Sequence, residues 1–165
     1  MIGRREAIAN VPADAPALAK FTDTAESVSE RVIGSYSTSF GGATRLLGKR
    51  HRRHVRNIYA LVRVADEIVD GVASQAGLSP AAQMDALDRY AAETHLALRT
   101  GYSSDLVIHA FARTARAAGI DASLTEPFFA SMRSDLTSPN EQRAVFDRAA
   151  HATYVYGSAE VVGLM

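Results

Sequence analysis

Apolar residues recur at helical spacing along nearly the whole chain, and no segment shows the sustained alternation that is typical of a strand. This pattern predicts an all-α protein. The first helix is expected to begin near Thr22 or Thr24, and the second to run from about Arg52 to Val72. Residues 37–42, Ser-Thr-Ser-Phe-Gly-Gly, make a poor helix interior, so a break is expected between the two helices.

Capping residues mark the later helices. Residues 79–80, Ser-Pro, predict an N-cap and a first-turn proline for a third helix, which extends through Leu98. A fourth helix is expected to be capped by Ser103 or Ser104 and to end at Gly119, where a glycine commonly terminates a helix.

Two further helices complete the pattern, one opening at Thr125 or Glu126 and one running from Asn140 to the end of the chain. Residues 159–165 are mostly apolar and include no basic last turn. An apolar helix end with unsatisfied carbonyls normally continues into, or is covered by, another element. The sequence therefore predicts that the chain stops inside a fold; the alternative is an end that frays in solvent.

Composition changes this picture little. A chain of 165 residues with 47% hydrophobic residues suggests one domain with a sizeable core. Prolines and small residues near the N-terminus predict that residues 1–21 are a disordered or weakly ordered lead-in, and that residues 22–165 form the helical domain. The absence of cysteine excludes disulfides and thiolate metal sites.

Charge is balanced, with 18 basic and 18 acidic residues, so no global attraction to nucleic acid is expected. A basic run at residues 49–54, followed by Arg56, is compatible with nucleic acid or an anionic membrane, but it lacks interleaved aromatic residues and is interpreted as a solvated helix start. No window reaches the roughly 18 apolar residues of a membrane span. A cytoplasmic protein with at most peripheral membrane contact is expected.

The stretch 57–70 carries the candidate chemistry. On a helix that advances about 100° per residue, Tyr59, Arg63, Asp66 and Asp70 fall within an arc of roughly 60°. Most neighbouring positions are apolar, and a helix that is apolar over most of its circumference is normally buried. We therefore expect this polar seam to face an internal cavity.

Burying such groups is costly unless they are paired or bind an ion. Asp66 and Asp70 lie one turn apart and repel each other, and Mg²⁺ prefers carboxylate oxygens, water and substrate phosphates. Arg63 can neutralise phosphate directly, and Tyr59 can donate a hydrogen bond to it. The alternative is an ordinary exposed helix face with a surface ion pair between Arg63 and Asp66 or Asp70.

The same stretch resembles the first aspartate-rich motif of the squalene/phytoene synthase family of head-to-head prenyltransferases. Three further segments match this family's motifs in the same order. Residues 37–47 resemble its Ser-x-Ser-Phe segment, residues 131–136 (Ser-Met-Arg-Ser-Asp-Leu) its Gly-Met-x-x-Asp-Leu segment, and residues 154–165 its Tyr-x-Tyr-Gly-x-Ala-x-x-Val-Gly signature. The resemblance implies an isoprenoid-synthase-type helical bundle that is truncated after roughly its first half.

The resemblance also implies roles for individual residues. Asp66 and Asp70 would hold Mg²⁺ that binds substrate diphosphate, with Glu67 as a helper. Arg63 and Tyr59 would contact the diphosphate and serve catalysis.

Other positions follow from the remaining motifs. Ser37 and Ser39 would donate hydrogen bonds to the same diphosphate. Tyr156, with Tyr154 close by, would bind substrate at the reacting centre, where Tyr156 assists ionisation or proton handling. Phe40, Met132 and the apolar residues around Gly157 and Gly163 would line the tunnel for the prenyl chain.

The implied reaction condenses two identical allylic diphosphates, farnesyl or geranylgeranyl, to phytoene or (dehydro)squalene with release of pyrophosphate. Two departures matter. Tyr36 stands where many relatives have histidine, and the family's second aspartate-rich helix is not in this sequence. The alternatives are therefore an incomplete fragment or half-subunit, which needs a second polypeptide or self-association to complete the bundle, and a helical interaction module without the chemistry.

Overall fold

The computed structural model of the chain describes residues 15–37, 42, 44–137 and 155–165, and within these ranges it contains helices and no strand. The predicted all-α fold is confirmed. The elements are α1 (Pro16–Tyr36), a 3₁₀ turn (Thr44–Leu46), α2 (Lys49–Asp70), α3 (Val72–Gln75), α4 (Pro80–Thr100), α5 (Leu106–Ala118), α6 (Ala122–Thr137), a π-helical turn (Tyr156–Glu160) and α7 (Val161–Leu164).

Helix α2 lies at the centre of the packing, in contact with α1, α4, α5 and α6. Its core-facing side carries mainly small residues, which let the neighbouring helices approach closely. The main apolar core joins α2 to α4, α5, α6 and α7 and includes Ala60, Leu61, Ala65, Val69, Leu87, Ala91, Ile108, Phe111, Phe128, Phe129 and Val161.

The first helix begins earlier than predicted. Pro16 occupies its first turn, ahead of the expected start at Thr22 or Thr24. Residues 16–21 are therefore helical, which corrects the prediction of a weakly ordered lead-in up to residue 21. Proline is favoured at this position because it has no N–H to leave unpaired and its fixed φ suits a helix.

Two predicted helix ends are confirmed. Ser79 is the N-cap of α4, and its hydroxyl accepts a hydrogen bond from the Ala82 N–H at 3.3 Å. Gly119 ends α5 with a φ of 77°, in the left-handed region that favours glycine.

Two predicted helix starts are wrong by a few residues. Asp105, and not Ser103 or Ser104, caps α5, because its carboxylate accepts from the Ile108 N–H at 3.0 Å. Helix α6 begins at Ala122, before the expected Thr125.

The predicted start of the last helix at Asn140 lies outside the described residues. Residues 155–164 are helical, with a π-helical stretch at Tyr156–Glu160 that the sequence pattern does not predict.

His109 joins α1 to α5 in a buried polar contact. Its Nδ1 accepts from the Ser103 N–H at 3.5 Å, so the neutral ring carries its proton on Nε2, 3.0 Å from the Thr22 hydroxyl. The ring lies edge-on to Phe21 with centroids 4.9 Å apart. Burial lowers the pKa of His109, and the nearby Arg113 lowers it further. The fold therefore requires the uncharged ring.

This requirement predicts acid sensitivity. A pKa that is lower in the folded state means that the stabilisation is complete above the ordinary histidine pKa of about 6.5 and is lost as the pH falls below it. The melting temperature should fall between pH 7 and pH 5.5 more steeply for the native chain than for His109→Gln. The exposed His51→Gln should keep the native slope. Equal slopes for His109→Gln and the native chain in thermal melts would contradict this role.

Candidate functional site

The predicted polar seam lies on one side of α2, and most of that helix's core contacts are on the other. Leu61 and Ala65 are buried against the neighbouring helices, and at about 100° per residue they point about 100–180° away from Asp66 and Asp70. Asp66 is half-buried and Asp70 is exposed. The described residues therefore form one wall of an open site, which corrects the expectation that this helix is buried around its whole circumference.

Asp66 has the most perturbed carboxyl group of the seam. Partial burial raises its pKa to about 6, and the carboxylates of Asp70, Glu67 and Asp135 act in the same direction. Arg63 opposes them. Several acidic side chains therefore lie near a single guanidinium, and binding of a further cation at this position would be favourable.

Arg63 is held by groups other than the aspartates. Among the described residues its ion pair is with Glu67, one turn along α2, and not with Asp66 or Asp70. Its guanidinium carbon lies 4.5 Å from the centre of the Tyr36 ring, a cation–π contact. The Nε atom is buried and has no hydrogen-bond partner among the described residues. Arg63 is thus oriented in advance by Glu67 and the Tyr36 ring.

Glu67 also shapes the end of α2. Its second carboxylate oxygen accepts from the Val72 N–H at 3.3 Å. A Cβ at Gly71 would lie 2.7 Å from that oxygen, so the glycine gives the carboxylate room. Glu67 therefore contacts Arg63 and the following turn. Its implied role as a helper for the metal stays a prediction.

An apolar cavity of about 410 Å³ adjoins the seam at Tyr59. This volume is within the range of small-molecule sites. Val62 lines the cavity and precedes Asp66 by one helical turn, about 6 Å along the axis. The complete lining is His51, His54, Val55, Ile58, Tyr59, Val62, Ala118, Val162, Gly163 and Met165. A ligand with a charged head and an apolar tail matches this arrangement.

The other predicted site residues are placed as follows. Ser37 directly follows α1 and has an extended backbone, one residue from the Tyr36 ring that contacts Arg63. Tyr156 opens the π-helical turn with 37% of its surface exposed. Ser39 and Tyr154 lie outside the described residues.

Gly157 fixes the π-helical turn against α6. A Cβ at this position would lie 2.5 Å from the Pro127 carbonyl oxygen and 3.1 Å from the Ser131 Cβ. Only a glycine permits this approach. The contact therefore explains why a glycine follows the tyrosine in the C-terminal motif.

The sequence pattern did not reveal that Asp135 acts on Asp66 or that the Tyr36 ring contacts Arg63. Asp135 lies on α6, and its negative charge raises the pKa of Asp66 on α2. A search for two aspartates four residues apart on one helix does not find Asp135, because the positions four residues away are Ser131 and Pro139. The segment 131–136, quoted for its resemblance to a family motif, contained the available signal.

The residues can be tested for their fit to Mg²⁺. Among the described residues no group of three or more acidic or histidine side chains is placed to hold a metal ion. Mg²⁺ is usually bound by one or two carboxylates together with water and substrate phosphates. Asp66 and Asp70, on one face of α2 with a raised pKa at Asp66, fit a metal that is shared with a diphosphate.

The sequence model of the family described as squalene/phytoene synthase matches residues 33–165. This range includes all four motif segments and both α2 and α6. Among curated proteins, none matches the chain. In the part of the chain that the structure describes, every helix is too short or too polar to cross a lipid bilayer.

The Gly157 contact predicts a stability effect. Gly157→Ala should lower the free energy of unfolding by about 1–3 kcal/mol, because the added methyl meets backbone that cannot move freely. Gly34→Ala is the matched control: it is a helical position with nothing within 4 Å of an added Cβ, and should be neutral or stabilising by up to about 1 kcal/mol. Urea denaturation measures both. A Gly157→Ala chain as stable as the native one would refute the close approach.

Proposed function

Since the chain belongs to the squalene/phytoene synthase family, we propose that it binds a prenyl diphosphate with the diphosphate on the α2 seam and the prenyl chain in the apolar cavity. The reaction proposed is the family's head-to-head condensation of two such molecules, with farnesyl or geranylgeranyl diphosphate as substrate and pyrophosphate as a product. The observation that carries this proposal is that Tyr59, on the same face of α2 as the carboxylates, also lines the apolar cavity.

Arg63 is the proposed anchor of the diphosphate. Its contacts with Glu67 and the Tyr36 ring fix the guanidinium, and a guanidinium is suited to bidentate contact with phosphate. Tyr59, one turn earlier on the seam, is placed to add a phenol donor at the junction with the cavity. Ser37, next to Tyr36, is the proposed hydroxyl donor from the end of α1.

Asp66 and Asp70 would hold Mg²⁺, which supplies neutralisation of the diphosphate charge as the leaving group departs. The chain's own contribution is the cost of ionising the partly buried Asp66 carboxyl, which favours binding of a cation together with its anion. In the proposed reaction the C–O bond to the diphosphate breaks and the allylic carbon alkylates the double bond of the second molecule. Tyr156 is the proposed group for assisting ionisation or accepting the released proton.

A second candidate function follows from the exposure of Asp70. In this alternative, the chain binds diphosphate through one acidic wall, and condensation needs a second wall from another polypeptide or a second copy of the chain. The open side of the seam favours this alternative over a helical interaction module, which has no use for a perturbed carboxylate beside an apolar cavity.

The site assignment predicts that Asp66→Asn and Asp70→Asn each weaken Mg²⁺-dependent binding of pyrophosphate by at least about tenfold, with unchanged helicity. Asp85→Asn on α4, also an exposed aspartate on a helix, is the matched control and should bind as the native chain does. Isothermal titration with and without Mg²⁺ measures the affinity. Native affinity in both seam variants would exclude the assignment.

Incubation of the native chain with farnesyl or geranylgeranyl diphosphate separates the two functions. Release of pyrophosphate that depends on Asp66 and Asp70 supports condensation by the chain itself. Binding without release supports the one-wall alternative. Neither binding nor release would refute both proposals.

A further inference from the structure

Charge is strongly segregated along this electrically neutral chain. Residues 31–65 contain no Asp or Glu, yet they hold eight of the 18 Lys and Arg residues. Most of them fall around the start of α2. A balanced total therefore conceals a local basic region.

Part of this basic region serves the fold. Arg53 pairs with Glu26 of α1 at 3.6 Å, and Arg56 pairs with Glu30 at 2.8 Å. These contacts help to hold α1 against α2. They account for the cations in the second turn of α2, and not for those in its first.

Lys49 and Arg50 do not connect helices in this way. Both are exposed, and neither makes an ion pair with a described residue. They occupy the first turn of α2, which contains no acidic residue, although the positive end of the helix dipole disfavours cations there. A purely structural helix start would gain from acidic residues at these positions, so the cations point to an anionic partner.

A leucine projects beside these cations from an ordered turn. Leu46 is 91% exposed at the end of the 3₁₀ turn, and Leu47 is partly exposed. Arg52 clamps this turn onto α2, because its guanidinium donates to the Thr44 carbonyl at 3.1 Å and to the Leu47 carbonyl at 2.9 Å. Thr44 is buried. The exposed leucine is thus presented by a defined structure.

The apolar cavity starts at the same end of α2. His51, directly after Arg50, belongs to its lining, and Val55 continues the lining one turn further. The exposed leucines therefore directly precede α2, the two cations lie in its first turn, and the cavity lining begins at His51 in the same turn.

We propose that Leu46, Leu47, Lys49 and Arg50 form a docking surface for an anionic phospholipid bilayer. Lys49 and Arg50 attract lipid phosphates, and Leu46 inserts among the acyl chains near the headgroups. Charge and the exposed leucines argue for this occupant directly. The benefit of docking, transfer of prenyl chains between bilayer and cavity, rests on the proposed function. Nucleic acid is disfavoured because an exposed leucine pair adds nothing to phosphate binding and no described aromatic residue lies among these cations.

The test is cosedimentation of the full chain with vesicles, without any diphosphate, so that it is independent of the proposed reaction. The native chain should bind vesicles that contain phosphatidylglycerol, bind pure phosphatidylcholine vesicles much more weakly, and detach as salt is raised. Lys49→Glu/Arg50→Glu should lose about tenfold or more in affinity. Acidic residues suit the first turn of a helix, so this variant is expected to fold.

Matched controls lie on α4. Arg89→Glu/Arg99→Glu changes the net charge equally at exposed positions, and should bind as the native chain does. Leu46→Ser should weaken binding several-fold, whereas Leu96→Ser, at a leucine that is 43% exposed, should not.

Equal losses in the α2 and α4 variants would overturn the proposal, as would equal binding to neutral and anionic vesicles. Tighter binding to a DNA duplex than to anionic vesicles, lost in Lys49→Glu/Arg50→Glu, would replace the bilayer by nucleic acid. Pyrophosphate binding, measured on the same proteins, separates the two proposals. If the native chain binds pyrophosphate but not vesicles, the docking surface is refuted and the proposed function is not.

Discussion

The partial burial of the Asp66 carboxyl among other acidic groups is the constraint on which the candidate site depends. Its pKa of about 6 lies above the ordinary value of 3.8. Ionisation of Asp66 therefore costs folding stability, and the cost develops as the pH rises between these two values. At neutral pH the folded chain holds a carboxylate that a cation would stabilise. Under the proposed function, binding of a metal together with a diphosphate would offset that cost.

The surrounding helices create this situation with few residues. Small side chains on one side of α2 allow this helix to pack within the core. On the other side, Tyr36 and Glu67 hold Arg63. Asp135 reaches the same region from α6. The apolar cavity then begins within one turn of Asp66. Charge and apolar surface are separated along a single helix, as a prenyl diphosphate requires.

Much of the fold was predictable because it depends on local rules. Ser79 and Gly119 act where capping preferences place them, and the helical period gave the all-α class. Asp105 replaced the expected Ser103 as a cap because a carboxylate is an equally good acceptor, and the pattern could not rank the two. Pro16 was taken for a mark of weak order, although a proline is also a good first helical residue.

Only the part of the site that lies on α2 was predictable from the sequence. The arc that contains Tyr59, Arg63 and Asp66 follows from helix geometry and is present. The depth of burial, and the influence of Asp135, depend on how α6 and α1 pack against α2, which periodicity does not determine. For the same reason the apolar residues of α2 suggested burial on all sides, whereas Asp70 is exposed.

The most direct measurement is an NMR titration of the Asp66 side-chain carboxyl, assigned by comparison with Asp66→Asn, with and without Mg²⁺ and pyrophosphate. The account predicts a midpoint of about 6 in the free chain and a clear decrease when both ligands are added. A midpoint near the ordinary aspartate value, unchanged by Mg²⁺ and pyrophosphate, would contradict it.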